Sequence, residues 1–215
     1  MSYVSSYPSP LDTTTCKATS YAYNVSEYAP WNAFNPATSL SGDQDNNVWL
    51  SGGPIGQTRN TDQRLHVDLG SAVTVVRIYY QNYHSTGGSL TFGVRNFTFW
   101  GSNDSGSFAE LTYATDTGWT QLTAAAVEFD KHAAVNGSDP KYMLITNVTP
   151  YRYYAIKCAD NWGHGTFMGF RRVELQYDDA PVATPTTTGH STGAHWYHKK
   201  HRRRYNDQDP FKSNK

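Results

Sequence analysis

Short runs of alternating apolar and polar residues, separated by turn-forming Gly, Pro, Ser and Asn, constrain this chain more than any other feature. Leu65, Val67 and Leu69 alternate with His66 and Asp68 before Gly70 ends the run. A period of two puts one set of side chains on a buried strand face and the other toward solvent. Phe97 and Phe99 repeat the pattern within Arg95–Trp100, and Gly-Ser-Asn-Asp then turns the chain. Similar segments at Cys16–Tyr23, Val73–Gln81, Trp119–Leu122, Ala126–Phe129, Tyr142–Val148, Tyr153–Cys158 and Phe170–Tyr177 predict about eight short strands, the signature of a sandwich or barrel. Aromatic residues make up 14% of the chain and Tyr alone numbers 16, which suits pleated, half-buried surfaces better than helices. The expected core collects Leu65, Val67, Leu69, Val76, Ile78, Phe97, Phe99, Ile145, Ile156 and Leu175.

Charge divides the chain. Residues 1–178 hold 11 Lys/Arg against 15 Asp/Glu, a net of −4, whereas residues 179–215 hold 7 against 3, a net of +4. The expected organisation is an extended N-terminal arm at 1–15, a β-domain over 16–178, a Thr/Pro/Gly linker over 179–194 and a basic tail over 195–215. The opening MSYVSSYPSPLD lacks the basic and apolar regions of a secretory signal, and no apolar stretch approaches transmembrane length. Five Asn-x-Ser/Thr sequons, at Asn24, Asn96, Asn103, Asn136 and Asn147, read as accidents of a Ser/Thr-rich chain.

The order of PWNAFN (Pro30–Asn35), VWLS (Val48–Ser51), RLHVDLG (Arg64–Gly70), VRNFTFWGSND (Val94–Asp104), YRYYAIK (Tyr151–Lys157) and RRVELQY (Arg171–Tyr177) resembles the discoidin family, also called the coagulation-factor (F5/8) type C domains. The resemblance spans roughly residues 16–178. It implies an all-β, galactose-binding-like jelly-roll used for binding glycans or lipid headgroups, without catalysis. Many such modules hold a structural calcium, and the pattern maps its ligands onto Asn35, Asn47 and Glu174 with the Ala33 carbonyl. Asn35 stands where the family has Asp, and Asn47 where it has Thr. Both substitutions lower the charge of the site, so a calcium loop and a metal-free polar loop are both open. Extracellular members often carry a disulfide between the first and last strands. Cys16 lies near the first position, but Cys158 precedes the last strand, which leaves a Cys16–Cys158 bridge open as well.

Strand parity brings the loops 52–62, 82–92 and 160–168 to one end of the sandwich. They carry Arg59, Tyr83, His84, Trp162, His164 and Phe167. Aromatic faces stack on the apolar side of a sugar ring while Arg and His donate to its hydroxyls, so this set is the candidate glycan site. Trp162 is the expected stacking platform, and the competing reading is that Trp162 and Phe167 plug the end of the fold. Phospholipid-binding members expose apolar spikes at these tips, whereas the tips here are mostly Gly, Ser, Thr, Asn and His, which favours a neutral glycan.

Gly189-His190-Ser191-Thr192-Gly193 matches a nucleophile elbow in letters alone, because it sits in a Thr/Pro linker rather than between a buried strand and a helix. No other constellation signals an enzyme. His195, His198 and His201 repeat every three residues, but Lys199, Lys200, Arg202, Arg203 and Arg204 surround them with positive charge that opposes a metal ion. The basic cluster reads instead as an attachment segment for an acidic partner, either an assembly protein or nucleic acid. A glycan-binding domain with such a tail and no signal fits a virion surface or tail component. The alternatives are a structural virion protein without a sugar site and a soluble cytoplasmic lectin, and homo-oligomerisation is open.

Overall fold

The alternating segments pair into two antiparallel sheets in the computed structural model, which describes residues 2–54 and 57–179. In chain order the strands are β1 (Tyr3–Ser6), β2 (Cys16–Ala18), β3 (Trp49–Leu50), β4 (Gln63–Val73), β5 (Arg77–Asn82) and β6 (Asn96–Ser102). They continue as β7 (Thr120–Gln121), β8 (Val127–Glu128), β9 (Lys141–Leu144), β10 (Tyr151–Cys158) and β11 (Gly169–Asp178). One sheet runs β1-β11-β5-β9 with β3 also on β11, and the other runs β2-β4-β10-β6-β7 with β8 also on β6. Two short helices, α1 (Pro30–Phe34) and α2 (Ser105–Ala109), cap the connections. Pro30 suits the start of α1, where a missing N–H is no loss. Asp104 caps α2 by accepting the Ser107 N–H at 2.6 Å. The fold is an all-β sandwich in which most paired strands are distant in sequence; among the described strands only β6 and β7 are consecutive neighbours.

Between the sheets the core is strongly aromatic. Phe97 stacks on Phe129 with ring centroids 3.6 Å apart, Phe129 meets Phe170 edge-on at 5.0 Å, and Trp49 stacks on Phe170 at 6.2 Å. Nine of the ten expected core residues are buried; Val76 is only half-buried and its neighbour Val75 points inward instead. The chain turns from β4 into β5 just there, so a strand-based alternation does not hold across the turn. Trp49, Phe129, Tyr154 and Phe170 belong to the same core and lay outside the expected set.

Three further differences have physical causes. His66 and Asp68, the polar half of the β4 alternation, are buried too: the 104–119 segment covers His66, with Trp119 4.9 Å and Phe108 6.2 Å from its ring, and Asp68 is clasped by Arg152 at 2.8 and 2.9 Å. The N-terminal arm is in part a strand, with Tyr3 opposite Asp178 and Ser6 opposite Leu175. Cys16 and Cys158 are free and buried. Cys16 pairs with Val67 on one side of β4 and Cys158 with Gln63 on the other. Two inter-strand spacings and a four-residue offset along β4 separate them, roughly 16 Å in all, far beyond disulfide reach. Burial pushes the Cys16 thiol up to about 12 and raises Cys158 further.

Among the described residues no helix is long and apolar enough to cross a membrane. The Gly189–Gly193 match, the 195–215 tail and nearly all of the 179–194 linker lie outside the described residues. Phe97→Ala removes a ring with 1% exposure from the centre of the stack, so it is expected to destabilise the domain by about 3–5 kcal/mol, read as a fall in the denaturation midpoint. A near-neutral result would contradict this core.

Candidate functional site

The three loops meet at one end of the sandwich through main-chain hydrogen bonds. The Arg59 N–H donates to the Thr166 carbonyl at 2.8 Å, the His164 N–H to Thr91 at 3.3 Å and the Trp162 N–H to Gly93 at 3.1 Å. The Asn60 side chain adds a bond to the His164 carbonyl at 3.0 Å. Within the 160–168 loop, Asn161 donates to the carbonyls of His164 (2.8 Å) and Phe167 (2.6 Å) and accepts the Gly163 N–H at 2.8 Å. Gly163 adopts φ +104°, a backbone state that side chains with a Cβ rarely take.

This scaffold presents an aromatic cluster. His164 stacks on Phe92 with centroids 3.7 Å apart and lies nearly parallel to Phe167 at 5.7 Å. Tyr23, 46% exposed, meets the outer side of Phe167 at 6.4 Å. His164 Nδ1 accepts the N–H groups of Thr166 (3.3 Å) and Phe167 (3.1 Å). The ring proton therefore resides on Nε2, a donor that makes no hydrogen bond within the described residues. Burial lowers the His164 pKa and favours this neutral form. Arg59 is exposed; its guanidinium touches Thr58 and Gln57 but no carboxylate among the described residues.

Arg59, His164 and Phe167 thus share one surface, and the other three candidates do not. Tyr83 has no exposed area; it lies under Phe92 at 5.0 Å and gives its O–H to Gln44, so it is the floor of the cluster rather than a contact. His84 is also fully buried. It stacks on His132 at 4.1 Å, with Nε2 on the Leu40 carbonyl (3.2 Å) and Nδ1 accepting the Gly87 N–H (3.2 Å). Both corrections have one cause: β5 runs inward to Asn82 and the chain dives beneath the 38–47 loop before surfacing. Trp162 is half-buried, gives its indole N–H to the Phe129 carbonyl at 3.3 Å, and carries Arg95 at 4.9 Å and Lys131 at 5.8 Å from the ring centroid. It forms a separate cation-flanked patch. Phe92, Tyr23 and Asn60 were not among the expected residues. Phe92 stood inside the 82–92 loop, but nothing in a lone loop Phe shows that it will stack on a His some seventy positions away.

The mapped calcium donors are engaged elsewhere. Asn35 Oδ1 accepts the Ala37 N–H at 2.9 Å, and Asn47 Oδ1 accepts that of Ser39 at 2.7 Å. Glu174 accepts the Ser5 hydroxyl at 2.6 Å and faces the Arg172 guanidinium at 3.5 Å. Ala33 is fully buried in α1. The only carboxylate of the set is turned to a guanidinium, so these residues do not fit a divalent cation. No group of three or more His, Cys, Asp or Glu positioned to hold a metal occurs among the described residues.

Several solved structures share this architecture. A SusE-like protein aligns with TM-score 0.54 and 15% identity over 78% of this chain and 99% of its own. CBM32-3 from a family 31 glycoside hydrolase of Clostridium perfringens aligns with TM-score 0.51 and 13% identity over 77% and 92%. A further CBM32 module from Clostridium perfringens, solved with GalNAc-β-1,3-galactose, aligns with TM-score 0.50 and 10% identity over 76% and 94%. The fold is discoidin-like. No family model matches the sequence and no curated protein matches it, so the discoidin-like likeness is one of fold.

Burial holds both His66 and His84 down to about 4 from an ordinary 6.5, with Arg171 and His132 adding to the effect at His84. Because the folded pKa is the depressed one, their contribution to stability is complete above pH 6.5 and is lost as the pH falls toward 4. Melting temperature is therefore expected to be level above that window and to drop through it. His84→Gln, which keeps a donor for Leu40, should flatten part of the drop; an unchanged profile in both wild type and variant would contradict the assignment.

Proposed function

We propose that this discoidin-like domain is a non-catalytic carbohydrate-binding module that takes a neutral glycan at the three-loop end. The observation that carries the reading is a half-buried aromatic cluster beside donors that reach solvent: Phe92, His164 and Phe167, with the Nε2–H of His164, unpartnered among the described residues, and the exposed guanidinium of Arg59, which is bonded only to Thr58 and Gln57. A flat apolar face with donors at its rim suits a sugar, whose ring carries C–H groups on one side and hydroxyls at its edge. The complex of a similarly folded Clostridium module with a disaccharide supports the reading. A glycan array on the full chain is expected to return a hit. Against that hit, His164→Ala and Phe167→Ala should each weaken binding about tenfold or more, as truncation of aromatic anchors does. Trp162→Ala separates the two aromatic surfaces: a comparable loss would move the platform to the Arg95–Lys131 patch. No hit at all would favour a structural domain whose aromatic stack closes the end of the fold.

The basic segment extends this reading to attachment. Residues 179–215 carry a net charge of +4 against the −4 of residues 1–178, which supports docking on an acidic assembly partner, with a virion the setting we favour. Deleting residues 180–215 is expected to leave glycan binding intact and abolish incorporation into the assembly. A steep salt dependence without sequence preference would mark the partner as nucleic acid, and saturable, specific binding would mark it as protein. Normal incorporation of the truncated chain would remove the attachment role.

A further inference from the structure

Arg171 is the largest unexplained charge in the interior. Its side chain has no exposure, and no ion pair links it to a carboxylate among the described residues. An isolated buried charge is strongly unfavourable unless something other than water solvates it. What solvates it is backbone. Nη1 donates to the carbonyls of Ser39 (3.2 Å) and Ser41 (3.3 Å), and Nη2 to those of Gly42 (2.9 Å) and Asp43 (2.6 Å). Next to it, Arg172 Nη2 donates to the Thr38 carbonyl at 2.6 Å, and His84 Nε2 binds that of Leu40 at 3.2 Å.

Six consecutive carbonyls, from Thr38 to Asp43, are therefore drawn to donors on the body of the domain, four of them to one guanidinium. A run of oxygens curled around a single positive centre is what a hard cation such as calcium organises in a loop. Here the distances are those of N–H···O bonds, and the planar fork of arginine matches several acceptors in a way a point charge does not. The strand makes this possible. The pairing of β11 with β5 shifts register between Phe170 and Arg172, and such a bulge re-aims a side chain that would otherwise follow the pleat. Gly42, at φ +78°, lets the loop curl. Glu174 is turned to Arg172 and Ser5 in the same region, so no carboxylate of the expected calcium set faces the loop.

We propose that Arg171, assisted by Arg172, is the covalently attached cation of the 38–43 loop, so that this domain holds without calcium the loop for which the family resemblance implies a metal. The charge arrives with the chain and no chelator can remove it.

The test is a comparison of thermal melts of the full chain in EGTA and in millimolar calcium, together with calorimetric titration of calcium itself. The expected result is coincident melts and no saturable heat. A calcium site would show itself, since metal at a hundred times its dissociation constant raises the melting temperature by several degrees. Such a rise, abolished in Glu174→Gln, would overturn the proposal. Arg171→Lys keeps the charge and gives up the fork. It is expected to melt several degrees lower than the wild type and to be cleaved faster within 38–43 by a protease; melting and cleavage at the wild-type values would also overturn it. If that variant fails to fold, the wild-type comparison decides alone.

Discussion

The placement of β11 between β5 and β1 is the constraint on which the other features rest. Val173 lies opposite Tyr80 and Leu175 opposite Ile78 on one side, while Ser6 lies opposite Leu175 on the other. This joins the first residues of the domain to its last strand. The inward side chains of β11 supply Phe170 to the aromatic core, while the outward Arg172 reaches the Thr38 carbonyl and Glu174 turns to Ser5 and Arg172. The bulge at its start turns Arg171 away from both positions and into the carbonyl loop. A strand that entered the sheet one residue out of register would exchange these sets, exposing Phe170 and burying carboxylate.

Rigidity at the three-loop end follows from that base. Met168 and Ser51 exchange hydrogen bonds at 2.7 and 2.8 Å just before β11 begins, fixing the exit of the 160–168 loop. Asn161 and His164 then fold the loop onto its own carbonyls and N–H groups, so the aromatic stack is set before any ligand arrives. Preorganisation of this kind limits the entropy lost on binding. It also explains why a histidine packs against Phe92 and Phe167 in place of a third Phe: its Nδ1 takes two main-chain donors while its ring still stacks.

Buried polar groups in this domain are solvated mainly by backbone. Arg171 rests on four carbonyls, His66 on the Phe108 carbonyl at 3.0 Å, and Asn82 on the carbonyls of Val94 (2.7 Å) and Asp130 (2.9 Å). One carboxylate among the described residues serves two cations: Asp116 takes Arg64 and Lys157, both at 2.7 Å. Each such group ties a loop to the sheet beneath it.

Local periodicity was enough to identify most strands of the sandwich, though not β1 or β3: the Leu65-Val67-Leu69 and Phe97-Phe99 alternations are set by the pleat itself, and turn residues mark where each run stops. Parity along those strands also brought the three loops to one end, because direction reverses with every antiparallel pairing. The residues that face solvent there were a different matter. Tyr83 and His84 have the chemistry of a binding site and are buried, while Phe92 and Tyr23 complete the surface. Which of them is covered depends on the 38–47 loop passing overhead, a contact between segments some forty residues apart. The strand at Tyr3–Ser6 and the course of Arg171 are likewise invisible locally, since one needs a partner at the far end of the chain and the other a one-residue shift in pairing. Sequence by itself determined the period, the turns and the chemistry on offer; only the packing of distant segments decided which groups meet water and which solvate one another.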